Sequence, residues 1–256
     1  MIRPLKSAAA ATAVALLILG CGPGGSATPV VTLAPGATAT PVPQITPGAP
    51  GPGEDIDAAA IAAAVAALEA HDSWTFEGSY LVGGGDQGFQ TQVRGTERRS
   101  PEVATKGEHI QADASVFTYV RIGDDIWFDV GTGSFTHVMA PDAENLIEQY
   151  EPNYLAALAE TFAGYSRVDY EPVGAEAVNG IPAMHYRASQ GDLEDIVQMY
   201  DVAPEDWSAD VWLATDGGHI VRMVWGPQDP ANAQFILSFD YEVTAVDCTC
   251  PIDPPA

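Results

Sequence analysis

The sequence predicts an α+β fold: a single curved antiparallel β-sheet, a half-barrel of about ten strands, with helices covering the concave face. Three observations lead there. Short runs of alternating apolar and polar residues recur along the chain after residue 73, the spacing of half-buried strands. Most of these runs are joined by tight Gly- or Asp-containing turns, which suit antiparallel neighbours and are too short for a parallel crossover. Helical spacing appears only at the front, in the middle and between late strands, so no helix-after-every-strand plan is present.

The elements follow in order. Residues 55–71 read as a helix, with Ile61, Val65 and Leu68 on one face of an alanine-rich frame and Asp55 or Asp57 to cap the start. Trp74, Phe76, Gly78, Tyr80 and Val82 then alternate with polar residues as a strand, broken by Gly83-Gly84-Gly85-Asp86. Strands are expected at 89–98 and around 103–110. A meander follows at 116–122, 126–130 and 135–139, with turns at Gly123-Asp124-Asp125 and Gly131-Thr132-Gly133. Helical spacing returns over 142–150 and 152–165, where Leu155, Leu158 and Phe162 share a face. Later strands are expected near 168–171, 183–188, 211–215, 220–225 and 235–243, with a short helix at 192–200. Asp216-Gly217 between two of these runs is a strong hairpin signal.

The N-terminus has its own logic. Arg3 and Lys6 precede thirteen uncharged residues, Ala8 to Gly20, which is the length of a signal-peptide core and short for a membrane span. It ends in Ile18-Leu19-Gly20-Cys21. That stretch resembles the lipobox of bacterial lipoproteins, which implies cleavage before Cys21 and lipid attachment to its thiol. Residues 21–53 are mostly Pro, Gly, Ala, Thr and Ser, and hold no charge. Such a stretch buries too little surface to offset its ordering entropy, so it is read as a disordered tether. Residues 54–256 are long enough for one domain with a sizeable core.

Charge excludes some partners. Two of the ten basic residues lie in the signal, so eight remain beyond residue 53 to face all 35 acidic residues. Repulsion then argues against nucleic acid and against broad docking onto anionic headgroups, which leaves the lipid anchor as the link to the membrane. Cys248-Thr249-Cys250 would tend to oxidise outside the cytoplasm. A Cys248–Cys250 disulfide closes a small ring, which leaves open a redox role beside a merely inert bond. The absence of a thioredoxin-like βαβ context favours the inert bond.

Motifs for catalysis are missing. There is no Gly-x-Ser-x-Gly elbow, P-loop or His-Glu-x-x-His, and no metal site or cofactor is expected. His71, His109, His137, His185 and His219 are scattered without ligand spacing. Alternation puts His185 on the solvated face, and gives His137 the parity of Phe135, which leaves a satisfied core histidine open as its alternative reading. Asp124-Asp125 and the acids at 192, 194 and 195 read as surface charge in so acidic a domain.

Three segments carry a further resemblance: Val120 to Trp127, Val178 to Tyr186 and Val211 to Val221. Together with the helix-first, helix-interrupted meander, they resemble the LolA/LolB-like half-barrels, and most of all the LppX/LprG-type lipoproteins. The resemblance implies a concave face that encloses a lipid or another hydrophobic ligand beneath its helices. Trp74, Phe76, Tyr80, Phe128, Phe135, Trp225, Phe235, Leu237 and Phe239 are the residues expected on that face. Each of them, taken singly, is more often core than ligand contact. The expected function is a non-enzymatic, membrane-anchored, extracytoplasmic carrier. An envelope sensor with a protein partner and a structural lipoprotein with a solid core stay open beside it.

Overall fold

The structure, a computed structural model, describes residues 53–82, 89–139, 150–164, 168–197, 204–228 and 237–255. The side chains of Val82, Phe89, Asp195, Ile196 and Leu237 are outside the description. Everything described lies in the second of two compact units, Ile45–Ala256.

The chain runs through two meanders. The first is β1 (Ser73–Val82), β2 (Phe89–Arg98), β3 (Ala104–Gln111), β4 (Val116–Ile122), β5 (Asp125–Asp129) and β6 (Thr136–Val138). The second is β7 (Tyr170–Val178), β8 (Ile181–Ala188), β9 (Trp207–Ala214), β10 (Ile220–Pro227) and β11 (Leu237–Val246). They join into one open eleven-stranded antiparallel sheet of order β6-β5-β4-β3-β2-β1-β11-β10-β9-β8-β7. The seam is the pairing of first strand with last, from Trp74 opposite Val246 to Val82 opposite Leu237. The half-barrel architecture expected from sequence is therefore present, with eleven strands where about ten were expected. β7 and β9 are longer than their alternation suggested.

Turn chemistry explains the short connections. Asn179 and Gly180 both take positive φ, 52° and 80°, between the paired Val178 and Ile181, the geometry of a two-residue hairpin. Bulges between Thr75 and Phe76, Pro172 and Gly174, and Ile220 and Arg222 shift the register and bend the strands that carry them.

Helices α1 (Ala58–Glu69), α2 (Leu155–Gly164) and α3 (Gln190–Val197) pack on one face, called here the inner face. Asp57 caps α1 by accepting the Ala60 N–H at 2.9 Å. Ile61, Ala64, Val65 and Leu68 point from α1 into the core. Leu155, Leu158 and Phe162 do so from α2, and Leu193 and Val197 from α3. The sheet side of this core comes from β1, β2 and β7 to β11; it takes in nothing from β3 to β6. The helix expected over 142–150 falls outside the described residues except for Tyr150.

Candidate ligand-binding face

The structure divides the expected face residues into groups. Trp74, Phe76 and Trp225 are fully buried. Trp225 meets the rings of Phe162 at 5.4 Å and Trp207 at 5.6 Å, and the Trp74 indole donates to the Tyr241 hydroxyl at 3.1 Å. These three side chains are core. Tyr80 and Phe239 face each other across the β1–β11 seam. They are only part-buried and pack on the ring of Tyr154 at 5.7 and 5.9 Å. Phe128 lies far from them, on β5.

Phe135 departs from expectation. It precedes β6 and is 36% exposed. Its neighbour Thr136 pairs with Phe128 on the inner face, so alternation turns Phe135 away from that face. Phe235 is outside the described residues. Leu237 opens β11 opposite Val82, with its side chain undescribed.

Around Phe128 the structure brings together residues that the sequence reading missed. On the inner face of β3 to β6, Tyr119 and Ile126 are buried, while Phe117, Phe128, Val138 and Tyr150 keep partial exposure. Phe117 stacks with Phe128 at 6.0 Å, tilts against Tyr150 at 5.1 Å, and takes the edge of His109 at 5.7 Å. This aromatic shelf stands apart from the helix-covered core. The alternation of Phe117 and Tyr119 along β4 was the available signal.

A strap made of residues 150–154 crosses between core and shelf. It can lie close to the sheet because two positions beneath it are glycine. A Cβ on Gly107 would meet Pro152 Cγ at 2.7 Å, and one on Gly78 would collide with the Tyr154 hydroxyl. Polar groups pin the strap down. His109 Nε2 lies 3.0 Å from the Tyr150 carbonyl, and the Tyr241 hydroxyl donates to Asn153 Oδ1 at 3.1 Å. Tyr119 and Arg121 donate to Glu151 Oε2 at 3.3 and 3.4 Å.

Beneath the strap lies a second carboxylate. Glu97 on β2 accepts from Thr105 at 2.8 Å and from Asn153 at 3.4 Å, with Arg99 Nε at 3.6 Å. Burial pushes both Glu97 and Glu151 above the usual carboxylate range. The Glu151 charge adds to the cost of ionising Glu97, and the Thr105 hydroxyl and the arginines only partly offset the shifts of the two groups. Glu151 Oε1 is buried without a hydrogen-bond partner. Burial also drives the His109 imidazole below its ordinary value.

Two histidine expectations are corrected. His185 is not solvated. It is buried on the outer face, flat against Trp212 with ring centroids 4.1 Å apart, and bonded to the buried Asp210 at 2.6 Å. His137 is not core. Its side chain is largely exposed and stacks on Trp127 at 4.5 Å.

The tail crosses the outer face. Cys248 and Cys250 are disulfide-linked, and Ile252 sits in a small apolar seat of Ala104 and Val120, edged by Ile122 and Trp127. Among the described residues, no cluster of three or more His, Cys, Asp or Glu is placed to hold a metal ion.

No protein-family model matches the chain, and no curated protein matches it. Solved structures do. The lipoprotein LppX of Mycobacterium tuberculosis is 17% identical with a TM-score of 0.45, over 77% of this chain and 97% of that one. LprF of Mycobacterium bovis is 11% identical with a TM-score of 0.45, over 78% and 96%. A LolA superfamily protein of Nitrosomonas europaea is 10% identical with a TM-score of 0.26, over 73% and 92%.

Proposed function

We propose that this chain is a lipoprotein, acylated on Cys21 and held outside the cytoplasm by the 21–53 tether, which binds a lipid or another hydrophobic ligand on its inner face without catalysis. Among the described residues no helix is long and apolar enough to cross a membrane; the acylation reading rests on the Ile18-Leu19-Gly20-Cys21 stretch. The observation that carries the binding reading is the aromatic shelf. Phe117, Phe128, Val138 and Tyr150 form an apolar surface on the inner face that stays part-exposed and separate from the helix-covered core. Laying an acyl chain on such a surface removes water from both partners. Each buried methylene contributes about 0.8 kcal/mol before ordering costs are set against it. Trp74, Phe76 and Trp225 already spend their surfaces on the core, so the reading places the ligand on the shelf, with Tyr80 and Phe239 as a second part-open patch beyond the strap.

The test is native mass spectrometry of the exported full chain, followed by lipid extraction. A near-stoichiometric lipid is expected, lost in Phe128→Asp while the circular dichroism spectrum is unchanged. A chain that stays free of lipid after incubation with a total lipid extract refutes ligand binding. For the anchor, Cys21→Ala is expected to move the chain from the membrane fraction to the soluble fraction.

A further inference from the structure

One edge of the acidic domain exposes apolar side chains between few acids: Asp124 precedes and Asp125 opens β5 there, with Asp125 3.4 Å from His137. Of the four large apolar side chains that stand exposed among the described residues, three belong to the β5–β6 hairpin: Val130 at 65%, Met139 at 63% and Phe135 at 36%. The fourth, Val173, lies on β7 at the opposite edge of the sheet. Residues 130–139 contain no Asp, Glu, Lys or Arg, in a domain where acids outnumber bases more than fourfold. The one acid at the turn, Asp129, is folded inward. It accepts the Thr132 N–H and hydroxyl at 2.8 Å each and the Gly133 N–H at 2.9 Å. Those bonds hold the turn in a fixed shape and leave its apolar side chains outward.

We propose that the β5–β6 edge of the sheet is a bilayer-contacting rim, seated in the headgroup layer of the membrane. Two features favour lipid over a protein partner. The apolar residues are spread along a three-residue edge strand and its turn, rather than gathered around a concave pocket. The edge also leads onto the aromatic shelf, because Val138 of β6 belongs to the same cluster as Phe117 and Tyr150. A lipid leaving the shelf sideways would meet this edge first. To that extent the proposal builds on the binding role above.

The depth of seating follows from the backbone. β6 is the outermost strand, and the N–H and C=O groups along its open side need water or another donor and acceptor. Hydrocarbon offers neither, so the rim stops at the level of the headgroups, with Phe135, Val130 and Met139 reaching below it. The tether permits the approach. If residues 21–53 form the tether proposed above, a chain of that length, 33 residues, would span about 30 Å on average. The surrounding acids make the contact selective: zwitterionic lipid admits the rim, while anionic lipid repels the rest of the domain, more strongly at low salt.

The experiment places an environment-sensitive NBD label on Val130→Cys, on Met139→Cys and, as control, on Val173→Cys. The full chain is held on phosphatidylcholine vesicles by its own N-terminus, or in the Cys21→Ala variant by a hexahistidine tag on nickel-chelating lipid. Labels at 130 and 139 are expected to shift to the blue and to be quenched more by a shallow nitroxide lipid than by a deep one, while the label at 173 stays water-like. Phe135→Ser should weaken both shifts, and replacing half the lipid with phosphatidylglycerol at low salt should abolish them. Labels at 130 and 139 that behave like the one at 173 overturn the proposal. So does quenching that is strongest at the bilayer centre. Because no bound ligand enters the readout, a lipid-free protein whose rim still penetrates would sink the carrier reading and leave this one standing.

Discussion

The hydroxyl of Tyr154 occupies the space that a side chain on Gly78 would need, and from there it donates across the seam to the carbonyl of Asp240. The Ser79 carbonyl lies 3.2 Å away, so one phenol touches both strands of the β1–β11 pair. Gly78→Ala is expected to displace this ring and cost about 1–3 kcal/mol, as overpacking does. Tyr154→Phe keeps the ring and loses only the bond, at about 1 kcal/mol. Urea unfolding monitored by tryptophan fluorescence separates the two. Equal costs would mean that the close approach at Gly78 is not what the glycine is for.

Glu97 and Glu151 give the fold a dependence on pH from beneath the strap. Both carboxyls are held above their ordinary range by burial, so the folded state keeps protons that the unfolded chain releases. That contribution is complete below the usual carboxylate value of 4.5, and it is lost as pH rises through the raised values. The groups facing the pair are Arg99, Thr105, Tyr119, Arg121 and Asn153, and the arginines reduce the effect without reversing it. Glu151→Gln, which resembles the protonated acid, should melt near the unmodified chain at pH 4 and above it at pH 8. A melting difference that is flat with pH would remove Glu151 from the account.

His219 works in the opposite direction. It is buried with neither ring nitrogen hydrogen-bonded, its ring in edge contact with His71 at 4.8 Å. Burial first, and His71 second, hold its pKa below the ordinary 6.5. The unfolded chain therefore takes up a proton that the folded one refuses, and stability falls as pH drops below 6.5 toward the lowered value. His219→Leu should flatten that part of the curve and gain about 1 kcal/mol near pH 5, since a buried unpaired polar group costs that much or more. Thermal melts from pH 5 to 7.5 check it, and an unchanged slope would assign the acid loss to other groups, His109 among them.

Elements whose signals are local were legible in the sequence. The Asp216-Gly217 hairpin forms with Gly217 and Gly218 at φ of 81° and 64°, and α1 starts at one of the two named caps. Features that depend on which distant strands pair were not. Nothing near Trp74 indicates that β11 will lie beside it. Nothing in 150–154 shows a strap until Gly78 and Gly107 are side by side beneath it. Alternation placed His185 on the outer face correctly. It erred on solvation because Trp212 and Asp210, which cover and bind that ring, come from a neighbouring strand. Phe135 was misplaced because its hydrophobicity was taken to mark the covered face; in β6 that face carries Thr136 and Val138, so Phe135 shares the outer parity of His137.

The seam between β1 and β11 also constrains when this protein can become functional. Each meander can pair with itself as it emerges, but the two halves share no sheet until the final strand arrives to sit beside the first. Pairings between strands so far apart in sequence form late and slowly. Until that strand is available the chain stays divided, with the aromatic shelf in one half and most of the helix-covered core in the other. Any product cut short before residue 237 is barred from completing the sheet, so the order of the strands acts as a built-in proofreading step on length.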